Sequence, residues 1–174
     1  VRPFAQIVHD GTDADEPAPG AKGPVPVVGI VGRIAAWKGQ HIFLRAAAQV
    51  HARFPETRFK IVGSPLFGEQ DYEREIHDLA ASLGLAELVD FAGFTNDVPA
   101  AMRSMTVVVH ASTTGEPFGQ VVIEAMAAAR PVVATNGGGI PEIVEDGRTG
   151  FLVPMGDPDA MAAAILRLLE DPVA

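Results

Sequence analysis

Six short apolar runs divide the chain: VPVVGIVG from Val25, RFKIVG from Arg58, LVDFAG from Leu88, TVVVHAS from Thr106, PVVAT from Pro131 and GFLVP from Gly150. Each is the length of a strand. They read as nearly continuous apolar stretches, not as strict alternations, which is the pattern of strands covered on both faces. Helical spacing fills the intervals. In QHIFLRAAAQVHARF, residues Ile42, Phe43, Ala46, Val50 and Phe54 share one face. EQDYEREIHDLAASLGL is a helix stopped by Gly84. DVPAAMRSM carries Pro99 in its first turn, GQVVIEAMAAA follows the fourth run, and GIPEIVED has Pro141 near its start. DPDAMAAAILRLLED places Asp157 as N-cap and Pro158 at the first helical position. Strands alternating with helices in this way predict an α/β domain. Its parallel six-stranded sheet is doubly wound and Rossmann-like, with helices on both faces.

The alternation begins at Val25, so residues 25–174 are expected to form the domain. Residues 1–24, with the acidic Pro- and Gly-rich DGTDADEPAPGAKGP, read as an approach segment or linker. No internal repeat is visible. The first ten residues, VRPFAQIVHD, have neither the basic nor the apolar region of a signal peptide and no initiator Met. The chain therefore reads as part of a longer one. It has no cysteine, hence no disulfide framework and no thiolate metal site, and a cytoplasmic location is expected. No apolar run approaches the roughly 18 residues of a membrane span. A net charge of −9 argues against nucleic acid or an anionic lipid surface as partner. An anionic ligand must then be held by a few focused cations among the 13 Lys and Arg, helped by backbone N–H groups.

A sheet of this kind binds ligands at the carboxyl ends of its strands, so the loops at 32–39, 63–69, 93–97, 112–119 and 136–140 are the places to inspect. GRIAAWKGQ carries Arg33 and Lys38. It is neither a P-loop nor a G-x-G-x-x-G turn. Two cations beside a helix N-terminus suit a pyrophosphate; they are equally what two solvated surface cations would look like. Trp37, between them, is expected to pack against a neighbouring domain. Gly137–Gly139 permit a tight turn near the crevice.

GEPFGQVVIEAMA holds two carboxylates, Glu116 and Glu124. Pro117 disfavours the α conformation at Glu116, so the helix begins after it, near Gly119. Gln120 and Glu124, four apart, share a helix face. The helix is apolar nearly all round, which predicts that it is buried and that Glu124 must find donors. Two ribose hydroxyls would serve; so would Arg130 or a backbone group. Glycosidases set two carboxyls roughly 5–9.5 Å apart across one bond. Here the second acid is carried at least about 9 Å along the helix axis from the first. Contacts with separate parts of one extended ligand fit better than an acid–base pair.

Taken together, GEPFGQVVIEAMAAARPVVATNGGGIPEIVEDGRTGFLVP with Arg33 and Lys38 resembles the carboxyl-terminal half of retaining glycosyltransferases of the GT-B architecture. The nearest group is the glycosyl transferases group 1, or family-four, type. Glu116 and Glu124 match its E-x7-E motif, and Arg33 and Lys38 its arginine–lysine pair. VHDG at 8–11 resembles the family's approach to this domain, and the resemblance runs from about residue 8 to 171. It implies a nucleoside-diphosphate sugar donor (UDP-, GDP- or ADP-sugar), no cofactor and no metal. Gly32, Arg33 and Lys38 would hold the diphosphate, and the two cations would stabilise the departing nucleotide. Glu116 would contact the transferred sugar. Phe118, Gly119 and Gln120 would offer backbone N–H groups, and Val121 would line the ribose side. Glu124 would bind the ribose hydroxyls, with Phe94 and Thr95 near the base. The histidines, five and scattered, are read as structural. The resemblance also implies a partner that is missing here, the amino-terminal acceptor domain. Any peripheral membrane association would pass through that domain, and the isolated chain is expected to bind donor without turnover. A nucleotide-sugar epimerase and a non-catalytic sugar-nucleotide sensor are the alternatives of different class.

Overall fold

The computed structural model describes residues 25–170. The approach segment expected at 1–24, with VHDG, lies outside them. Six strands form one sheet: β1 (Val27–Val31), β2 (Arg58–Val62), β3 (Val89–Gly93), β4 (Val107–His110), β5 (Val132–Thr135) and β6 (Phe151–Val153). The helices are α1 (Gln40–Arg53), α2 (Gln70–Ser82), α3 (Val98–Arg103), α4 (Gln120–Ala127), α5 (Ile140–Ile143) and α6 (Pro158–Glu170). The spatial order is β3-β2-β1-β4-β5-β6, and every described pairing is parallel. This is the doubly wound, Rossmann-like sheet that the apolar runs predict. The chain winds outward from β1 in one direction through β2 and β3, then returns to β4 on the other side of β1. The crevice between the ends of β1 and β4 is the topological switch point.

Side chains alternate across the pleat even where the sequence does not alternate in polarity. Val28, Ile30, Val107, Val109 and Val133 face α1, α2 and α6 in one core that includes Phe43, Phe59, Ile76, Met161 and Ile165. Val31, Val108, Val132 and Ala134 face α3, α4 and α5 in a second core with Met102, Val122 and Ile140. Each fully buried side chain of this kind stabilises the fold by about 1.5–3 kcal/mol before entropy is counted. Only edge strand β3 shows an exposed alternation, at Asp90 and Ala92.

The helix signals fall where expected. Gly84 adopts φ 73° just past α2, and the N–H of Leu85 reaches back to the Ala80 carbonyl at 2.8 Å. Asp97 caps α3 by accepting from the Ala100 N–H at 2.9 Å, and Asp157 caps α6 through Ala160 at 2.9 Å.

The burial expected of α4 is not found. Only Val122 and Ala125 are buried, while Ile123 is 51% exposed. The helix lies against the sheet by one face, so an apolar count taken round the whole helix overstates its burial. The helix also ends at Ala127, followed by Ala129 at φ 53°. Pro131 disfavours the helical conformation at Arg130 and stops it there.

Candidate active site at the switch point

The β1–α1 loop is folded by its own backbone. Gly32 leaves β1 at φ 149°, and its N–H bonds the Val62 carbonyl at 2.9 Å. A single 3-10 turn over Ala36–Lys38 then ends at Gly39, φ 74°, which caps α1. A Cβ on Gly39 would overlap the Ala111 carbonyl oxygen, so glycine there lets α1 approach the end of β4. Gln40, 1% exposed, ties the loop shut by donating to the Arg33 carbonyl at 2.9 Å. The first turn of α1 is partly satisfied within the protein. The His41 N–H donates to the Tyr72 hydroxyl at 3.2 Å, and burial pushes that phenol up to about 12.

Across the crevice, the β4–α4 loop is pinned from two sides. The Thr113 N–H bonds the Trp37 carbonyl at 2.8 Å, joining it to the β1–α1 loop. Glu116 pairs with Gly138 through its backbone, and the Gly139 N–H bonds the Glu116 carbonyl at 2.9 Å. Cβ atoms on Gly138 and Gly139 would overlap the backbone of Glu116 and Pro117. The glycine run is therefore a buttress under Glu116. Gly119, φ 54°, caps α4 with no side-chain bond to its first turn.

These two loops bring Lys38 and Glu116 together. Lys38 Nζ lies 2.7 Å from Glu116 Oε1, with the side chains 19% and 14% exposed. The same oxygen accepts from the Ser112 hydroxyl and faces His110 Nε2 at 3.1 Å. Burial alone would raise the Glu116 carboxyl. The donors outweigh it, His110 first, then Lys38 and Ser112, and hold it down at about 2. Among the described residues, the other oxygen, Oε2, has no partner and is not sealed from solvent. The carboxylate is fixed by one oxygen and open at the other.

Arg33 sits beside the pair. Its Nε is 3.5 Å from Glu69 Oε2, and its guanidinium lies 5.5 Å from the rings of both Trp37 and Phe67. Lys38 Nζ is 4.4 Å from the Trp37 ring. Trp37 thus lies against both cations. A recess between the loops is lined by Ile30, Lys38, Gln40, His110, Ser112 and Val121 among others. It is shallow and open to solvent.

The remaining expected residues lie around this cluster. Glu124 accepts from Gln120 Nε2 at 3.0 Å on one face of α4. Arg130 does not reach it, bonding the Ala128 and Met105 carbonyls instead. Phe118 is 81% exposed at the start of α4. Phe94, 73% exposed, and Thr95 follow β3, two strands from β1 and so about 10 Å away across the sheet. Thr95 Oγ1 is engaged locally, accepting the Asp97 N–H at 3.1 Å.

Sequence reasoning missed His110, Ser112, Thr135 and Glu69. His110 was readable as structural only; the available signal was a polar ring ending the apolar run TVVVHAS, next to the switch-point loop. Its partner Thr135 could not be named without the β4–β5 pairing.

The profile of the family described as glycosyl transferases group 1 matches residues 25–171. A D-inositol 3-phosphate glycosyltransferase of Mycobacteroides abscessus is 38% identical over 174 aligned residues, which take in 94% of this chain and 38% of that protein. The chain thus spans about two fifths of that relative's length. The crystal structure of Anabaena Alr3699/HepE in complex with UDP-glucose superposes with a TM-score of 0.80 at 44% identity, over 84% of this chain and 39% of that one. The C-terminal domain of a Francisella tularensis glycosyl transferase group 1 family protein, crystallised as such, superposes at TM-score 0.75 and 29% identity, covering 84% and 76%. With the switch-point sheet and these matches together, the chain belongs to the glycosyl transferases group 1 family and forms one Rossmann-like half of the GT-B fold.

Proposed function

We propose that this chain is the donor-binding half of a retaining glycosyltransferase and holds a nucleoside-diphosphate sugar at the β1–β4 switch point. The observation that carries this is the Lys38–Glu116 pair with Arg33 beside it, built by two loops whose backbones hold each other. Both cations are matched to carboxylates here, Lys38 to Glu116 and Arg33 to Glu69. A diphosphate carries more charge than either carboxylate and draws both cations toward itself. As the sugar–phosphate bond breaks, charge grows on the departing nucleoside diphosphate, and Arg33 and Lys38 stabilise it where it forms. The open Oε2 of Glu116 accepts a hydroxyl of the transferred sugar. The backbone N–H groups of Phe118, Gly119 and Gln120, at the start of α4, face the donor's negative charge. Glu124, steadied by Gln120, takes the ribose diol. Neither acid needs to transfer a proton.

The UDP-glucose complex of HepE, at 44% identity, supports a UDP-sugar as the first donor to test. A donor-binding half binds donor without transferring it, so turnover belongs to a protein that also supplies an acceptor domain. Calorimetry with UDP, GDP and ADP tests the binding step. The native chain should bind one of them, and Glu124→Ala should weaken it about tenfold, as expected for a lost pair of charge-assisted hydrogen bonds. Equal affinity in the two proteins would remove the ribose role. In a two-domain protein containing this chain, product NMR should show the donor's anomeric configuration retained; inversion would contradict the assignment.

A further inference from the structure

His110 ends β4 and is 3% exposed. A ring buried that deeply needs partners for both nitrogens. Nδ1 lies 3.1 Å from the hydroxyl of Thr135, itself 1% exposed at the end of β5, and Nε2 lies 3.1 Å from Glu116 Oε1. Nε2 faces an ionised carboxylate, which only accepts, so Nε2 carries a hydrogen and donates it to Oε1. Nδ1 meets the Thr135 hydroxyl, which also lies 3.0 Å from the Ser112 carbonyl and holds the ring in place. The other charged group at this point is Lys38, from the β1–α1 loop; Ser112 and Thr135 are neutral.

Glu116 Oε1 therefore has three partners, of which Lys38 is the one a diphosphate must recruit. With Lys38 alone, its departure would leave a desolvated carboxylate beside an anionic donor, a costly arrangement. We propose that His110 is a positioning residue for sugar transfer: through its Nε2–H it keeps Oε1 of Glu116 anchored while Lys38 turns to the diphosphate, leaving Oε2 to the sugar. This rests on the donor-binding reading above.

Two measurements on the 174-residue chain test it. Long-range ¹⁵N–¹H NMR reads the ring directly and needs no ligand; Nε2 of His110 should carry a hydrogen, and a ring protonated on Nδ1 alone overturns the proposal. Calorimetry with UDP, with GDP and ADP run beside it, then follows His110→Leu and His110→Gln, each alone and combined with Glu116→Gln. His110→Leu should weaken nucleotide binding about tenfold in the native background and less than twofold when residue 116 is the neutral glutamine. His110→Gln, whose amide still donates, should recover part of the loss. A merely structural histidine would weaken both backgrounds equally, and that result, or no loss at all, refutes the role. Failure of the native chain to bind any of the three nucleotides overturns the donor reading, and the positioning role with it, while the NMR result still stands as a fact about the ring.

Discussion

Glu116 stores free energy that depends on pH. Its carboxyl is held at about 2 against an ordinary 4.5, by donors that overcome its burial. A depressed carboxyl stabilises the folded state above its unfolded value and loses that contribution as pH falls through the folded one. The difference is worth about 3 kcal/mol at 1.36 kcal/mol per pH unit. Native protein should therefore lose its margin over Glu116→Gln between pH 4.5 and about 2, as read by urea unfolding at stepped pH. A constant margin across that window would mean the carboxylate is not so held. Trp37 gives a second prediction at this scale. It is the chain's one tryptophan and lies 4.4 Å from Lys38 Nζ. Its emission should change saturably as nucleotide draws Lys38 away, and the change should be absent in Lys38→Ala.

At the scale of elements, a run of small or apolar residues says less about depth than about conformation. GQVVIEAMAAA predicts a helix at the right place, yet its outer face, with Ile123, meets solvent. Ile123→Gln should accordingly change stability by less than about 0.5 kcal/mol, whereas Val122→Ala, in the second core, should cost about 2 kcal/mol in thermal unfolding. The caps at Asp97 and Asp157 and the stop at Gly84 were legible because each is local chemistry written within five residues. Gly138 was legible only as a turn. Its pairing with Glu116 joins residues that are distant in the chain and become neighbours only when β4 and β5 pair. Gly138→Ala must strain a φ of 59° and push on the Glu116 backbone. It should cost about 2 kcal/mol or more, and nucleotide binding should fall with it. Unchanged binding in a folded Gly138→Ala protein would show that the buttress does not set the site.

Across the whole molecule, the order of strands does what composition alone could not. A chain of net charge −9 gathers Arg33 and Lys38 at the one crevice where the winding reverses. Each of these cations lies against a carboxylate, Lys38 against Glu116 and Arg33 against Glu69. The sequence singles out Arg33, Lys38, Glu116 and Glu124; it could not reveal that Lys38 and Glu116 meet, since that contact spans 78 residues. Exposed Phe67, Phe94, Phe118 and Met155 follow strand ends on the same side of the sheet, so this rim is apolar as well as charged. No described helix is long and apolar enough to cross a membrane. On the proposed function Lys38 changes partner from Glu116 to a nucleotide diphosphate, and calorimetric titration of UDP-glucose into the native chain and into Lys38→Ala tests this. Measurable binding to the native chain with at least a tenfold loss in Lys38→Ala is the expected result; equal affinity in the two proteins, or none in the native chain, would contradict it.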